Sequence, residues 1–540
     1  MAKKLCIIGG GPAGVGLAWT LAQDPVVAAA WDITIIHNED VVGGHCATYD
    51  VTNPATGATV PVDIGVQFVA SLINPNVSLM CAESPFTELA PVVQAAPLTV
   101  SCGFPQRNGQ PMNWGNFPAY QTGPTFALYN EAGMIGDCEN FQQFMGSLFP
   151  GNLKAAGQSV QDWLAAPQPN PLTNTADFVA YFIDPYMTII NGYGAPKLDS
   201  VMLGDVMPLF AKMPFFDGPM GSLTTPGVGW QRWSNGARSW VQAMLIVASQ
   251  AMAVTFVGST TVRGVWLDPN DPDGPVFVSC NADLSDPVPY DKVVLTTDMQ
   301  TNANLLNNSN NAAAWSAHYA DPLSSQRWDV LQGGTCYIHG DDSILAPDLM
   351  PLQHEVAQFT AYYSTDGAQP NMPYNTQTTY TTYLVENVRE DPIAKQLYVT
   401  MYGPPDSVVK VPNNPFVVKQ FIHGLWLPDS MKNSTKDVYM AQGAGGINGG
   451  AAPLPNTGTN LYFAGNNTTM DSVEGALVSA MVIANYAFGV AYPMPLRLLT
   501  ATALAMYLYQ YLGLMFPVDD AATRHALTQQ LTLAMAGAAK

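Results

Sequence analysis

The chain has 540 residues, 48% of them apolar and 11% charged, with 41 acidic against 20 basic side chains and a formal net charge of −21. That balance excludes nucleic acid and anionic membrane surfaces as electrostatic partners, and the acids are scattered rather than blocked. Because charged residues fall well below the roughly 25% of an average soluble protein, polar uncharged side chains and backbone must cover much of the surface, which favours an apolar partner or a homo-oligomer.

The length suits two or three domains with a large core. Seven cysteines lie far apart and without a C-x-x-C pair, so neither a disulfide framework nor a metal site is suggested. An apolar run beginning at Lys4 leaves no room for a leader, which makes the cytoplasm the expected location.

Lys4 to Ile8 reads as a strand, Gly9-Gly10-Gly11-Pro12-Ala13-Gly14 as a turn, and Val15 to Gln23 as a helix. The spacing Gly9-x-Gly11-x-x-Gly14 has a mechanical reading: one glycine for the tight turn, one for approach to a pyrophosphate, one for helix on strand. The phosphate charge then meets the positive end of the helix. Trp31 to Ile36 reads as the second parallel strand, ending in His37-Asn38-Glu39-Asp40. A dinucleotide site places a ribose ligand here; Glu39 is favoured and His37, in register, is its rival.

Val41-Val42-Gly43-Gly44-His45 follows. The pairing of this turn with the first one resembles the flavin-containing amine oxidase superfamily, which uses it to hold FAD non-covalently. Most members place arginine after the second glycine; the histidine is similar to a branch of polyunsaturated fatty acid isomerase-like and cyclopiazonate dehydrogenase-like flavoproteins. After a turn at Asn53 to Gly57, the run Val60 to Phe68 corresponds to the hairpin that passes the flavin ring, so Gly65, Val66 and Gln67 inherit that position.

Residues 74 to 229 are rich in Pro, Gly, Met and aromatics, suiting either a pocket for a long apolar substrate or ordinary core. Trp233 to Arg238 and the helix Trp240 to Ala253 resemble the return to the cofactor domain. Val254 to Val257 and Val262 to Leu267 are expected as strands near the adenine, with Val262 its backbone contact, and Asp291 to Thr297 as a buried parallel strand closing the site. His339 and Asp341, two apart on one strand face, could form an acid/base pair or a sheet-surface hydrogen bond.

Near the other end, Asn460 to Asn466 and then Asp471 to Ala476, opening a helix to Phe488, resemble the family's second cofactor signature. By the resemblance Gly465, Asn466, Val473 and Ala476 face the cofactor, with Asn466 where an acid is usual, and the helix end would stabilise charge on the reduced ring. The run Leu498 to Phe516 carries no formal charge; it reads first as part of a helical hairpin packed on the body or another subunit, second as a peripheral membrane foot.

The expected fold is α/β. A discontinuous Rossmann-like FAD-binding domain with a parallel sheet (1–73, 230–300, 455–490) carries an inserted α+β substrate domain (74–229, 301–454) and a helical tail (491–540). The implied function is FAD-dependent hydride transfer to flavin N5 from an apolar, unsaturated small molecule such as a fatty acid or polyene, as isomerase, oxidase or dehydrogenase. The alternatives are an amine or amino-acid oxidase and a non-catalytic scaffold. Gln67 and His423 are the catalytic candidates, and Arg232 and Arg238 are the candidate anchors for a substrate carboxylate.

Overall fold

The computed structural model describes residues 2–70, 74–94, 100–107, 110–115, 136–137, 140, 160–166, 230–268, 271–308, 332–345, 358–364, 377–402, 411–423, 460–465 and 472–494. Strand β1 (Lys3–Ile8) is buried from Leu5 onward, as an unbroken apolar run requires of a central parallel strand. The glycine turn leads into helix α1 (Pro12–Ala22), which starts three residues before the expected Val15. Proline at its first position has no N–H to lose. A short helix, Pro25–Ala30, capped by the Asp24 carboxylate, delivers strand β2 (Trp31–Ile36) over the expected residues.

Strands β3 (Thr48–Thr52) and β4 (Thr59–Asp63) form an antiparallel hairpin closed at Asn53 to Gly57, where the Gly57 N–H donates to the Asn53 carbonyl at 2.7 Å. Helix α2 (Pro75–Cys81) follows. Past a strand at Trp230–Trp233 comes helix α3 (Arg238–Ala251), two residues earlier than expected, and then strand β5 (Val254–Val257). Strand β6 (Lys292–Leu295), strand β7 (Val417–His423), strand β8 (Leu461–Phe463) and helix α4 (Val473–Phe488) complete the parts that build the site.

Five strands make one parallel sheet in the order β5-β2-β1-β6-β8. Its register aligns Val257 with Ile36, Ile36 with Ile8, Ile8 with Leu295 and Leu295 with Phe463, so all five carboxyl ends finish level. The order reverses around β1, the position at which open α/β sheets bind ligands outside their strand ends. Helix α1 is buried along its whole length between α3 and α4. Gly16 makes that packing close: a Cβ there would lie 3.5 Å from both Ala480 Cβ and Leu477 Cδ1. This is a Rossmann-like α/β fold.

A seven-stranded sheet, drawn from 100–115 and 332–423, has β7 at one edge. The expected strand at Val262 begins instead at Gly264 and belongs to a three-stranded antiparallel sheet, with Val262 buried just before it. The strand carrying His339 ends at that residue, so Asp341 shares no strand face with it. His339 is buried, with Nε2 2.8 Å from Thr400 Oγ1 and Nδ1 accepting the Asp341 N–H at 3.1 Å, while Asp341 Oδ2 accepts from Asn413 at 2.7 and 2.8 Å. The two residues are joined by a hydrogen bond, as the second reading expects, but through the Asp341 backbone at a buried strand end rather than on the sheet surface.

All six cysteines among the described residues are free thiols; Cys138 lies outside them. No helix among the described residues is long and apolar enough to cross a membrane. The run 498–516 lies outside them.

Candidate dinucleotide site

The five level strand ends carry Gly9, His37, Gly258, Thr296 and Gly465 at or just beyond the last strand residue. Gly9 has φ +119°, a conformation an L side chain rarely adopts, and its N–H donates to the Ile36 carbonyl at 2.9 Å. Thr296 Oγ1 donates to the carbonyls of Ile8 at 2.9 Å and Gly9 at 3.2 Å, tying the β6 end to the turn. The side chain whose hydroxyl closes the turn comes from 287 residues away.

The two glycine turns interlock. The Gly43 N–H donates to the Gly10 carbonyl at 2.9 Å, and a Cβ on Gly44 would lie 3.0 Å from Gly11 Cα. Backbone meets backbone because no side chain stands between, leaving the amides at the start of α1 open to an anion. Pro12, Ala13 and Gly14 form the first turn of α1, with Ala13 buried. The second signature arrives at the same place: a Cβ on Gly465 would lie 3.5 Å from Ala13 Cβ, and the Gly465 N–H donates to Ser479 Oγ on α4 at 2.7 Å. Val473 and Ala476 lie in the first turn of α4, which Ser472 caps by accepting the Gly475 N–H at 3.0 Å. Asn466 lies outside the described residues.

At the β2 end His37 is 8% exposed, packed under Gly10 and 6.4 Å from the Phe256 ring, with Nε2 buried and lacking a hydrogen-bond partner. Burial lowers its pKa, so the ring is held neutral. Asn38 is exposed. Glu39 is already engaged: Lys419 Nζ of β7 lies 2.6 Å from its Oε1. The two rivals thus differ: Glu39 is paired with Lys419 through Oε1, whereas His37 keeps a buried ring nitrogen without a hydrogen-bond partner.

His45 turns its ring edge onto Phe421, centroids 5.1 Å apart, and its carbonyl accepts the Val66 N–H at 3.0 Å. That bond carries the chain past Gly65 to Gln67, whose Nε2 is buried without a hydrogen-bond partner. His423 pairs through its backbone with Gln332 at the end of β7; its side chain is not among those described. Arg232 Nη2 donates to the Arg389 carbonyl at 2.8 Å, and Arg389 Nη2 to the Ser234 carbonyl at 2.9 Å, so these two arginines tie one segment to the other. Arg238 stands apart from them, its guanidinium carbon 5.2 Å from the Tyr49 ring centroid and its Nε buried without a hydrogen-bond partner.

Two residues that sequence reasoning did not single out organise the surroundings. Asp63 Oδ1 accepts from Thr48 Oγ1 at 2.5 Å and the Ala237 N–H at 2.8 Å, fixing the start of α3 on the hairpin. Desolvation pushes its pKa up to about 6, against those hydrogen bonds and the charges of Arg389 and Arg238. Glu474, fully buried on α4, accepts from the backbone N–H groups of Asn76 at 2.9 Å and Val77 at 3.0 Å and from the Asn76 side chain, clamping α2 to α4. An acid two residues after the capping Ser472 offers the only local hint of it.

Residues 7–84 match the family model of the NAD(P)-binding Rossmann-like domain. An uncharacterised protein of Acanthamoeba polyphaga mimivirus is 38% identical over 77 residues, a match that spans 14% of this chain and 14% of that protein. Among solved structures, the provisionally assigned protoporphyrinogen oxidase of Exiguobacterium sp. 255-15 superposes with a TM-score of 0.51 at 13% identity, covering 91% of this chain and 99% of that one. Putrescine oxidase bound to putrescine (TM-score 0.50, 12% identity, 91% and 99% covered) and cyclohexylamine oxidase from Brevibacterium oxydans IH-35A (0.50, 13%, 90% and 99%) share the same fold.

Proposed function

We propose that the protein is an FAD-dependent oxidoreductase acting on an apolar, unsaturated small molecule such as a fatty acid or polyene. The observation that carries the reading is the convergence of two glycine signatures some 450 residues apart on one end of a parallel sheet, Gly465 against Ala13. The residues there fit the cofactor, because its polar parts would meet atoms that the protein leaves unsatisfied. Gly9 to Gly14 with Gly43 and Gly44 would hold the diphosphate, His37 a ribose hydroxyl, Val262 the adenine, and Gly65, Val66 and Gln67 the ring. Gly465, Asn466, Val473 and Ala476 would face its ribityl side. The bound flavin supplies the hydride chemistry, and the chain supplies binding, orientation and exclusion of water. The low charge of the chain and its Met- and aromatic-rich middle support the apolar substrate.

The purified protein is expected to show flavin absorption bands that change when a polyunsaturated fatty acid is added without oxygen. Growth of conjugated-diene absorbance with the bands intact would mark an isomerase, and bleaching a dehydrogenase or oxidase. A colourless protein that takes up no added FAD overturns the reading, and bleaching by an amine but not by the fatty acid overturns the substrate class.

Within this site the two ribose candidates should separate. His37→Ala is expected to weaken FAD binding roughly ten-fold, the worth of one or two neutral hydrogen bonds, and Glu39→Gln by less than about three-fold because Lys419 already occupies the carboxylate. Titrating each apoprotein with FAD and following the quenching of flavin fluorescence measures both.

A further inference from the structure

We infer that Arg238 is the anchor for the cofactor's diphosphate, supplied from the start of α3 rather than from the glycine turn itself. This assignment rests on the flavin reading above. Its backbone is fixed first: the Arg238 N–H donates to Thr48 Oγ1 at 3.0 Å, next to the Ala237 N–H on Asp63. From that knot the side chain runs back to the second glycine turn, where a Cβ on Gly43 would lie 3.5 Å from Arg238 Nε and 3.6 Å from Cγ. The turn is itself packed on Gly11, which brings Arg238 Nε close to the two interlocked glycine turns that precede α1.

The charge there is only partly spent, since its field falls on Asp63 but no ion pair is made among the described residues. Arg238 makes no salt bridge among the described residues, its Nε lacks a hydrogen-bond partner, and its ring contact is with Tyr49. The oxygen of Asp63 that bonds in the knot already accepts twice, and the neighbouring arginines are committed to carbonyls. His45, in the glycine turn, is turned onto Phe421. A planar fork of N–H donors beside a helix N-terminus suits the paired oxygens of a diphosphate, to which it donates two parallel hydrogen bonds. In a chain with 20 basic residues, a half-buried cation whose carboxylate neighbour, Asp63, is already held by two other donors can still receive an anion from outside.

FAD carries the diphosphate and riboflavin does not, so the pair tests the assignment directly. Wild type, Arg238→Met, Arg238→Lys and the double variant Arg238→Met with His45→Arg are titrated with each flavin, as full chains stripped of bound cofactor. Arg238→Met is expected to weaken FAD binding roughly 10- to 100-fold, the worth of charged hydrogen bonds, and to flatten its salt dependence, while riboflavin affinity stays within about three-fold. Lysine should restore part of the loss, and arginine at position 45 should restore more. Unchanged FAD affinity in Arg238→Met, or equal loss of FAD and riboflavin, overturns the assignment while leaving the flavin reading intact. A wild type that binds neither flavin overturns both.

Discussion

Replacing Gly14 with alanine is expected to yield a chain that binds no flavin and is destabilised by about 3 kcal/mol or more, the range of overpacked buried sites. Helix propensity alone argues the other way, since alanine inside a helix is worth about 1 kcal/mol over glycine. Sterics decide the sign. A Cβ on Gly14 would collide with the Gly9 carbonyl oxygen, and would lie 2.9 Å from Thr296 Oγ1 and 3.1 Å from Ile7 Cγ2. None of these can move cheaply: Gly9 is held by Ile36, Thr296 by Ile8 and Gly9, and Ile7 belongs to the central strand. Gly57→Ala is the control, because nothing lies within 4 Å of a Cβ there and only the strain of φ +71° opposes it. That variant should lose about 1 kcal/mol and keep its flavin. Thermal melts with absorbance at the flavin bands measure both; a Gly14→Ala protein that stays yellow with an unchanged midpoint would remove the turn from the account.

The parts of the site that were legible in the sequence are those whose physics is local. An apolar run, a glycine turn and a helix follow from spacing alone, and β1, α1 and β2 lie where that spacing puts them to within three residues. What was not legible depends on partners far along the chain. Glu39 reads as a free acid at a strand end until Lys419 arrives from 380 residues away. Glu474 looks like a helix-start acid of the kind that complements the dipole of its own helix, yet its oxygens serve α2 instead. Two-residue alternation at His339 and Asp341 misleads for a different reason: the strand stops, and Asp341 becomes a cap that accepts the Ser343 N–H at 2.9 Å. Arg238 was visible as a rare cation, but its proximity to Gly43 is a product of the fold.

Glu474 gives the protein a dependence on pH that a single substitution should expose. Its carboxyl is buried, and desolvation pushes its pKa from 4.5 up to about 7, more than the N–H groups of Val77 and Asn76 pull it down. A carboxyl with a higher pKa folded than unfolded takes up protons on folding between the two values, so its contribution to stability falls as pH rises from about 4.5 to about 7 and the loss is complete above that. Asp63, pushed up to about 6, acts in the same direction. His339, lowered to about 4 by burial, acts oppositely: its contribution is present above 6.5 and is lost as pH falls. The wild-type curve alone therefore mixes signs, and the informative quantity is the difference between wild type and Glu474→Gln. Glutamine keeps the shape and an acceptor for the α2 amides but cannot ionise. Relative to it, wild type should lose stability by as much as ~3 kcal/mol between pH 5 and pH 8, read from urea midpoints at each pH. Glu474→Ala removes the acceptor of the Asn76 and Val77 N–H groups altogether, so it should be less stable than Glu474→Gln at both pH values, by about 2 kcal/mol or more. A constant offset between wild type and Glu474→Gln across that range would mean that the buried carboxyl does not change its proton occupancy on folding.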